Sequence, residues 1–178
     1  MQIDTKFISK FAVVAMAALA FNTAIVPAAQ AENAPLGFQL MCLQHPDAPE
    51  CKGGGAAKVK ATSTVMATLK RVNTHVNRTI KPKLDPDGTD VWTVNAAAGD
   101  CEDYVLTKRR QLINSGIPAG SLRIAYVKTR RGVDHAILIV KTNGKDLVLD
   151  NLSATIKPLS QTGYRVISVS GANPLKWS

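Results

Sequence analysis

Gly99-Asp100-Cys101-Glu102-Asp103-Tyr104 is the stretch at which the chain passes from turn-forming residues into a helical pattern. Tyr104, Val105, Leu112 and Ile113 recur at helical spacing, and Asp100 has the short acceptor side chain of an N-cap. Asp103 stands three positions on, where a capping-box partner belongs, although Glu or Gln is the usual choice. The pattern predicts a helix from Asp100 to about Asn114, stopped by Gly116. Cys101 then lies in its first turn, at the positive end of the helix dipole, where the thiolate is favoured and the thiol pKa falls. A thiol so placed is a candidate nucleophile, and it needs a base and a group that orients the base.

Downstream the period becomes strand-like. Residues 122–127, 136–140, 147–149 and 164–169 are β-branched or apolar runs, and Asn143-Gly144 is a strong hairpin signal. If Asn143-Gly144 is a two-residue turn, Thr142 faces Lys145, Ile137 faces Asp150 and His135 faces Leu152. With period-two alternation, His135 and Asp150 project from one face as diagonal neighbours, roughly 7–8 Å apart, within reach of an imidazole–carboxylate hydrogen bond. A one-residue slip would put them on opposite faces. Helices first and antiparallel sheet after give an α+β fold in two layers.

Cys101, His135 and Asp150 therefore imply acyl transfer, with His135 as base and Asp150 fixing its tautomer and orientation. Backbone amides at the helix start are candidate oxyanion donors. Each residue has a plainer reading: an inert buried or intermolecularly bridged thiol, a satisfied histidine at a strand end, and a turn-forming aspartate. The coincidence of a helix-start cysteine, a strand-opening histidine and an aspartate on the hairpin partner favours the chemical reading.

Upstream, residues 1–31 read as a secretory signal peptide: Lys6 and Lys10, an apolar run from Phe11 to Val26, and Ala29-Gln30-Ala31 before the cleavage point. The mature chain is one domain by length, carries a formal charge of about +8 once Lys6, Lys10 and Asp4 are removed, and is expected to be periplasmic or secreted without stable membrane insertion. Its basic residues cluster only at Lys108-Arg109-Arg110 and Lys128 to Arg131, with few aromatics among them, which argues against nucleic-acid binding. Export predicts a disulfide between Cys42 and Cys51, which flank a Pro-containing loop, leaving Cys101 odd.

Residues 32–57, with Pro35, Pro46, Pro49 and Gly53-Gly54-Gly55, read as an irregular arm ending in a flexible linker, so the domain proper spans 58–178. Val65, Leu69, Val72, Val76 and Ile80 form one stripe of a helix stopped by Pro82. Asn73 and Asn77 beside it are within reach of a neighbouring loop, with plain helix-margin polarity the simpler reading. Trp92 is expected in the core or a cleft wall, and His45 on the surface.

Gly99-Asp100-Cys101-Glu102-Asp103-Tyr104, Leu122-Arg123, His135-Ala136 and Leu149-Asp150-Asn151-Leu152 resemble the motifs of the bacterial transglutaminase-like cysteine proteinases, the family that includes the LapG-type periplasmic proteases, over about residues 60 to 170. The resemblance implies a papain-like, transglutaminase-like core with Cys101, His135 and Asp150 as catalytic residues. It further implies cleavage of a large surface adhesin in a biofilm setting, a calcium requirement, and an inner-membrane cyclic-di-GMP receptor as partner. Asp100 and Glu102 match calcium-binding acidic positions of that family, with Asp103 as a third ligand. Three carboxylates around a thiol disfavour the thiolate, and a hard cation would offset them. Protein transamidation, in which an amine resolves the thioester, needs the same residues. A non-catalytic binding module on the same fold would not.

Overall fold

The computed structural model describes residues 32–178. The expected signal peptide, residues 1–31, lies outside the described residues. Within them, no helix is long and apolar enough to cross a membrane.

The chain runs β1 (Glu32–Asn33), α1 (Leu36–Gln44), α2 (Ser63–Thr79), β2 (Lys81–Pro82), β3 (Ala98–Gly99), α3 (Cys101–Asn114), β4 (Leu122–Lys128), β5 (Asp134–Val140), β6 (Leu147–Leu149), β7 (Lys157–Pro158), β8 (Arg165–Val169) and β9 (Lys176–Trp177). A five-stranded antiparallel sheet, ordered β7-β6-β5-β4-β8, forms one layer. The mixed helix and antiparallel-sheet architecture is the one expected. α2 starts at Thr62, whose hydroxyl accepts the Val65 amide, and buries Leu69, Val72 and Val76. α3 buries Tyr104, Val105, Leu106 and Leu112, and Gly116 follows it at φ +84°, a left-handed position that glycine occupies without strain.

Along β5 the alternation divides the core. Ala136, Leu138 and Val140 pack with α2 and α3, whereas Ile137 and Ile139 join Val148, Ala125 and Val127 on the other face.

Two local expectations are corrected. Residues 32–57 are not an irregular arm: Leu36–Gln44 is helical, because Phe38, Met41 and Cys42 are spaced to bury one side. The expected Cys42–Cys51 disulfide anchors this helix, and β1 pairs with β9. Nor is the glycine run a free linker, since Gly54 O accepts the Gly120 amide. The hairpin keeps its predicted register, with Leu138 opposite Leu149 and Val140 opposite Leu147, but not its two-residue turn. The ladder stops at Val140. Lys141 and Asn143 turn to bond Val59, while Thr142 Oγ1 accepts the Gly144 amide and donates to Lys145 O. Val59 thus forms a parallel bridge with Thr142 on the side of β5 away from β6.

Lys108 and Arg109, two of the three residues of the basic cluster at 108–110, are fully buried. Arg109 donates to the carbonyls of Glu50, Lys52, Ala119 and Leu122, joining α3 to the disulfide loop and to the start of β4.

Candidate active site

Cys101 opens α3 and lines a cleft of about 890 Å³ with His135, Asp100, Asn151 and Tyr164. His135, near the start of β5, and Asp150, just past β6, are both buried, and His135 Nε2 lies 2.8 Å from Asp150 Oδ1. This is the contact the register predicted. The second carboxylate oxygen accepts the Tyr164 hydroxyl at 2.6 Å, and the Leu152 amide donates to Oδ1 at 2.9 Å. Burial works to raise the Asp150 pKa, but these hydrogen bonds and the one from His135 outweigh it, so the carboxyl lies below its ordinary value. The Tyr164 ring also stands edge-on to His135, with centroids 6.0 Å apart. In the sequence Tyr164 marks only the start of a strand run. Its spacing to Asp150 carries no motif, so only the return of β8 alongside β4 brings it here.

Behind Asp150, Asn77 Nδ2 donates to the Asp150 carbonyl at 2.8 Å, and Asn73 Nδ2 donates to the carbonyls of Ser153 and Ala154. The two asparagines therefore hold the loop that follows β6, rather than merely edging their helix.

Cys101 meets this group differently from expectation. Its side chain packs against the core on the helix side of the sheet, whereas His135 has the parity of Ile137 on the other face. Both line the cleft at the start of β5, with no hydrogen bond between them among the described residues. The thiol instead donates to Glu102 Oε2 at 2.9 Å. The expected fall in thiol pKa is overturned: burial first, then the charge and hydrogen bond of Glu102, push the Cys101 thiol up. Only the Ala136 amide facing the sulfur works the other way.

The acidic residues are crowded as expected. Burial and the neighbouring Asp100 carboxyl push Glu102 up to about 7, and burial, opposed by the Thr93 amide, leaves Asp103 at about 6. Asp103 is committed to the fold: Oδ1 accepts the Thr93 amide at 2.7 Å, and a side chain at Gly99 would collide with its carboxylate, which accounts for the glycine in Gly99-Asp100-Cys101. Asp100 occupies the N-cap position but makes no side-chain cap bond, correcting the capping expectation. No group of three or more His, Cys, Asp or Glu side chains among the described residues is gathered to hold a metal ion. Trp92 is a core residue, 5.1 Å from Phe38 and 6.2 Å from Tyr126 between ring centroids, and its indole donates to Asp90. His45 lies on the surface, exposed.

The sequence model described as bacterial transglutaminase-like cysteine proteinase BTLCP matches residues 28–178. No curated protein matches the chain. Among solved structures it is similar to calcium-bound LapG of Legionella pneumophila, 26% identical with a TM-score of 0.56, over 64% of this chain and 68% of that one. A second LapG structure from the same organism gives 26% identity and a TM-score of 0.55 over the same shares, and an EGTA-treated one gives 24% and 0.52 over 62% and 64%.

Proposed function

The chain belongs to the bacterial transglutaminase-like cysteine proteinases, and from that membership we propose that it is an exported peptidase in which Cys101 is the nucleophile, His135 the base and Asp150 the orienting acid. The observation that carries this reading is the 2.8 Å contact of His135 Nε2 with Asp150 Oδ1. It leaves Nδ1 as the nitrogen available to a thiol in the shared cleft. Tyr164 and the Leu152 amide keep Asp150 ionised and oriented, and Asn77 fixes the backbone that carries it.

The reaction runs in two halves. The Cys101 sulfur bonds to the scissile carbonyl carbon, His135 having taken the thiol proton. The imidazolium returns that proton to the departing amine as the carbon–nitrogen bond breaks, and an acyl thioester remains. In the second half His135 deprotonates a water that attacks the thioester, releasing the carboxylic acid and the thiol. Asp150 stays ionised throughout and stabilises the imidazolium. Backbone amides at the start of α3 are the oxyanion donors.

Asp100 and Glu102, with Asp103 beside them, would hold a calcium ion, as the calcium-bound LapG suggests for a relative. The chemistry of the donors fits: burial, with the neighbouring Asp100 carboxyl added to it, holds Glu102 up, and a hard cation taking those two carboxylates relieves both, while Asp103 has one oxygen already engaged by the Thr93 amide. When bound, the cation supplies positive charge beside the thiol. The substrate is a protein, with a large surface adhesin as its class, in the periplasm or outside the cell, under an inner-membrane cyclic-di-GMP receptor.

The test is to profile new peptide termini in a bacterial protein extract treated with the mature chain. Cleavages absent with Cys101→Ala are expected. Identical termini from both proteins would remove Cys101 from the account, and amine incorporation without new termini would make the enzyme a transamidase.

A further inference from the structure

Four cations open onto the cleft that holds Cys101 and His135: Lys83 after β2, Arg130 and Arg131 between β4 and β5, and Lys157 on β7. All four are exposed, and none has a carboxylate partner among the described residues. Among the described residues only Lys52, Arg110, Lys128 and Lys141 of the lysines and arginines have one, so it is their gathering on one cleft, rather than the lack of a partner, that sets these four apart. Of the two aspartates lining the cleft, Asp134 is taken by Lys128, and Asp100 stands at the acidic cluster beside the thiol. The cleft is thus cationic on three walls: beside Gly99, beside the strand that carries His135, and beside the loop after Asp150. Apolar surface accompanies the charge. Leu84, Val133 and Leu152 line the same cleft with 84%, 59% and 64% of their surface exposed.

We propose that this cleft recognises an extended substrate segment that carries aspartate or glutamate within a few residues of the scissile bond, alongside apolar side chains. The inference rests on the reading of the cleft as the peptidase site. An extended strand advances about 3.3 Å per residue, so a few residues either side of the scissile bond carry side chains to all three walls. Rim pairs in water are each weak, but several acting on one segment add up, and the positive field of the whole chain speeds encounter with an acidic partner.

The experiment uses the mature Cys101→Ala chain, which holds substrate without turning it over, and two fluorescent peptides of equal length and apolar content, one with glutamates where the other has glutamines. Anisotropy titration is expected to give about tenfold tighter binding of the glutamate peptide, the sum of a few surface ion pairs, shrinking as salt is raised. Arg130→Glu with Arg131→Glu and Lys157→Glu should abolish the preference. Lys70→Glu with Arg78→Glu, on the exposed face of α2 outside the cleft, should leave it. Equal binding of the two peptides overturns the proposal. So does an equal loss in both variants, which would make the attraction one of overall charge. Neither outcome touches the peptidase reading, which falls separately if no cleavage depends on Cys101.

Discussion

The Tyr164 hydroxyl donates to Asp150 Oδ2 at 2.6 Å, on the oxygen that His135 does not use. Tyr164→Phe keeps the ring against His135 and removes this donor, so the Asp150 carboxyl should rise toward its ordinary value and hold His135 less firmly. The expected cost is about 1.5 kcal/mol, roughly tenfold in kcat with KM little changed, since a hydrogen bond to a charged group is at stake. Steady-state kinetics on a peptide from the terminus profile checks this. An unchanged kcat would reduce Tyr164 to a packing residue.

Cys101→Ala and Cys101→Ser should be inactive yet folded, because the side chain is small and the helix start accepts either. His135→Ala should match them. Asp150→Asn should retain residual activity, since its role is orientation, while losing the charge that stabilises imidazolium. Kinetics together with circular dichroism separate loss of chemistry from loss of fold. Full hydrolysis by Cys101→Ala would end the assignment.

The bond from Cys101 to Glu102 Oε2 gives calcium a measurable consequence. Burial raises the thiol pKa most, and engaging Glu102 with a cation removes the charge and the acceptor that add to it. Alkylation of Cys101 by iodoacetamide at neutral pH should therefore be slow after chelation and accelerate when calcium is restored. Asp100→Ala with Glu102→Ala should abolish calcium binding by calorimetry. Binding that persists in the double variant would place the ion elsewhere.

Lys108 is fully buried, its Nζ has no hydrogen-bond partner among the described residues, and it lies 5.8 Å from the Tyr104 ring centroid. Desolvation lowers its pKa to about 7, opposed by Asp150. The unfolded chain then binds more protons between about pH 7 and 10.5, so this group makes stability rise with pH across that window, and its full cost stands below it. Lys108→Met should stabilise the protein by on the order of 1–4 kcal/mol at pH 6 and flatten that rise. Urea unfolding at pH 6 and pH 9 reads both. Destabilisation at pH 6 would show that the ammonium has partners.

Arg109 bonds four backbone carbonyls from a fully buried guanidinium. Lysine cannot reproduce that planar fork, so Arg109→Lys should cost about 2–4 kcal/mol by leaving buried acceptors unpaired. Thermal unfolding checks the loss, and a shift of less than a degree would contradict the anchoring role.

Much of the architecture was legible because it is local. The stripe from Val65 to Ile80 fixed α2, the run from Cys101 to Asn114 fixed α3, and the cysteines flanking the short loop announced their disulfide. Register was legible too, and with it the meeting of His135 and Asp150, because period-two alternation admits one face or the other and nothing between. The turn that was to set this register does not form, yet the register holds, since the buried pairing of Leu138 with Leu149 specifies it independently.

What the sequence by itself determined was thus most of what depends on spacing along one element or across one hairpin: helices α2 and α3, the strand register, and which side chains share a face, but not the short helix α1 or the turn of the hairpin. Tertiary structure decided whatever depends on segments far apart in the chain. It brought Tyr164 to Asp150, turned Asn73 and Asn77 onto the loop after β6, and buried Lys108 and Arg109 out of a basic cluster. The physical reason is that charge and hydrogen bonding are set by solvent exclusion and by the partner at the end of each side chain. Neither exists until the helices close on the sheet.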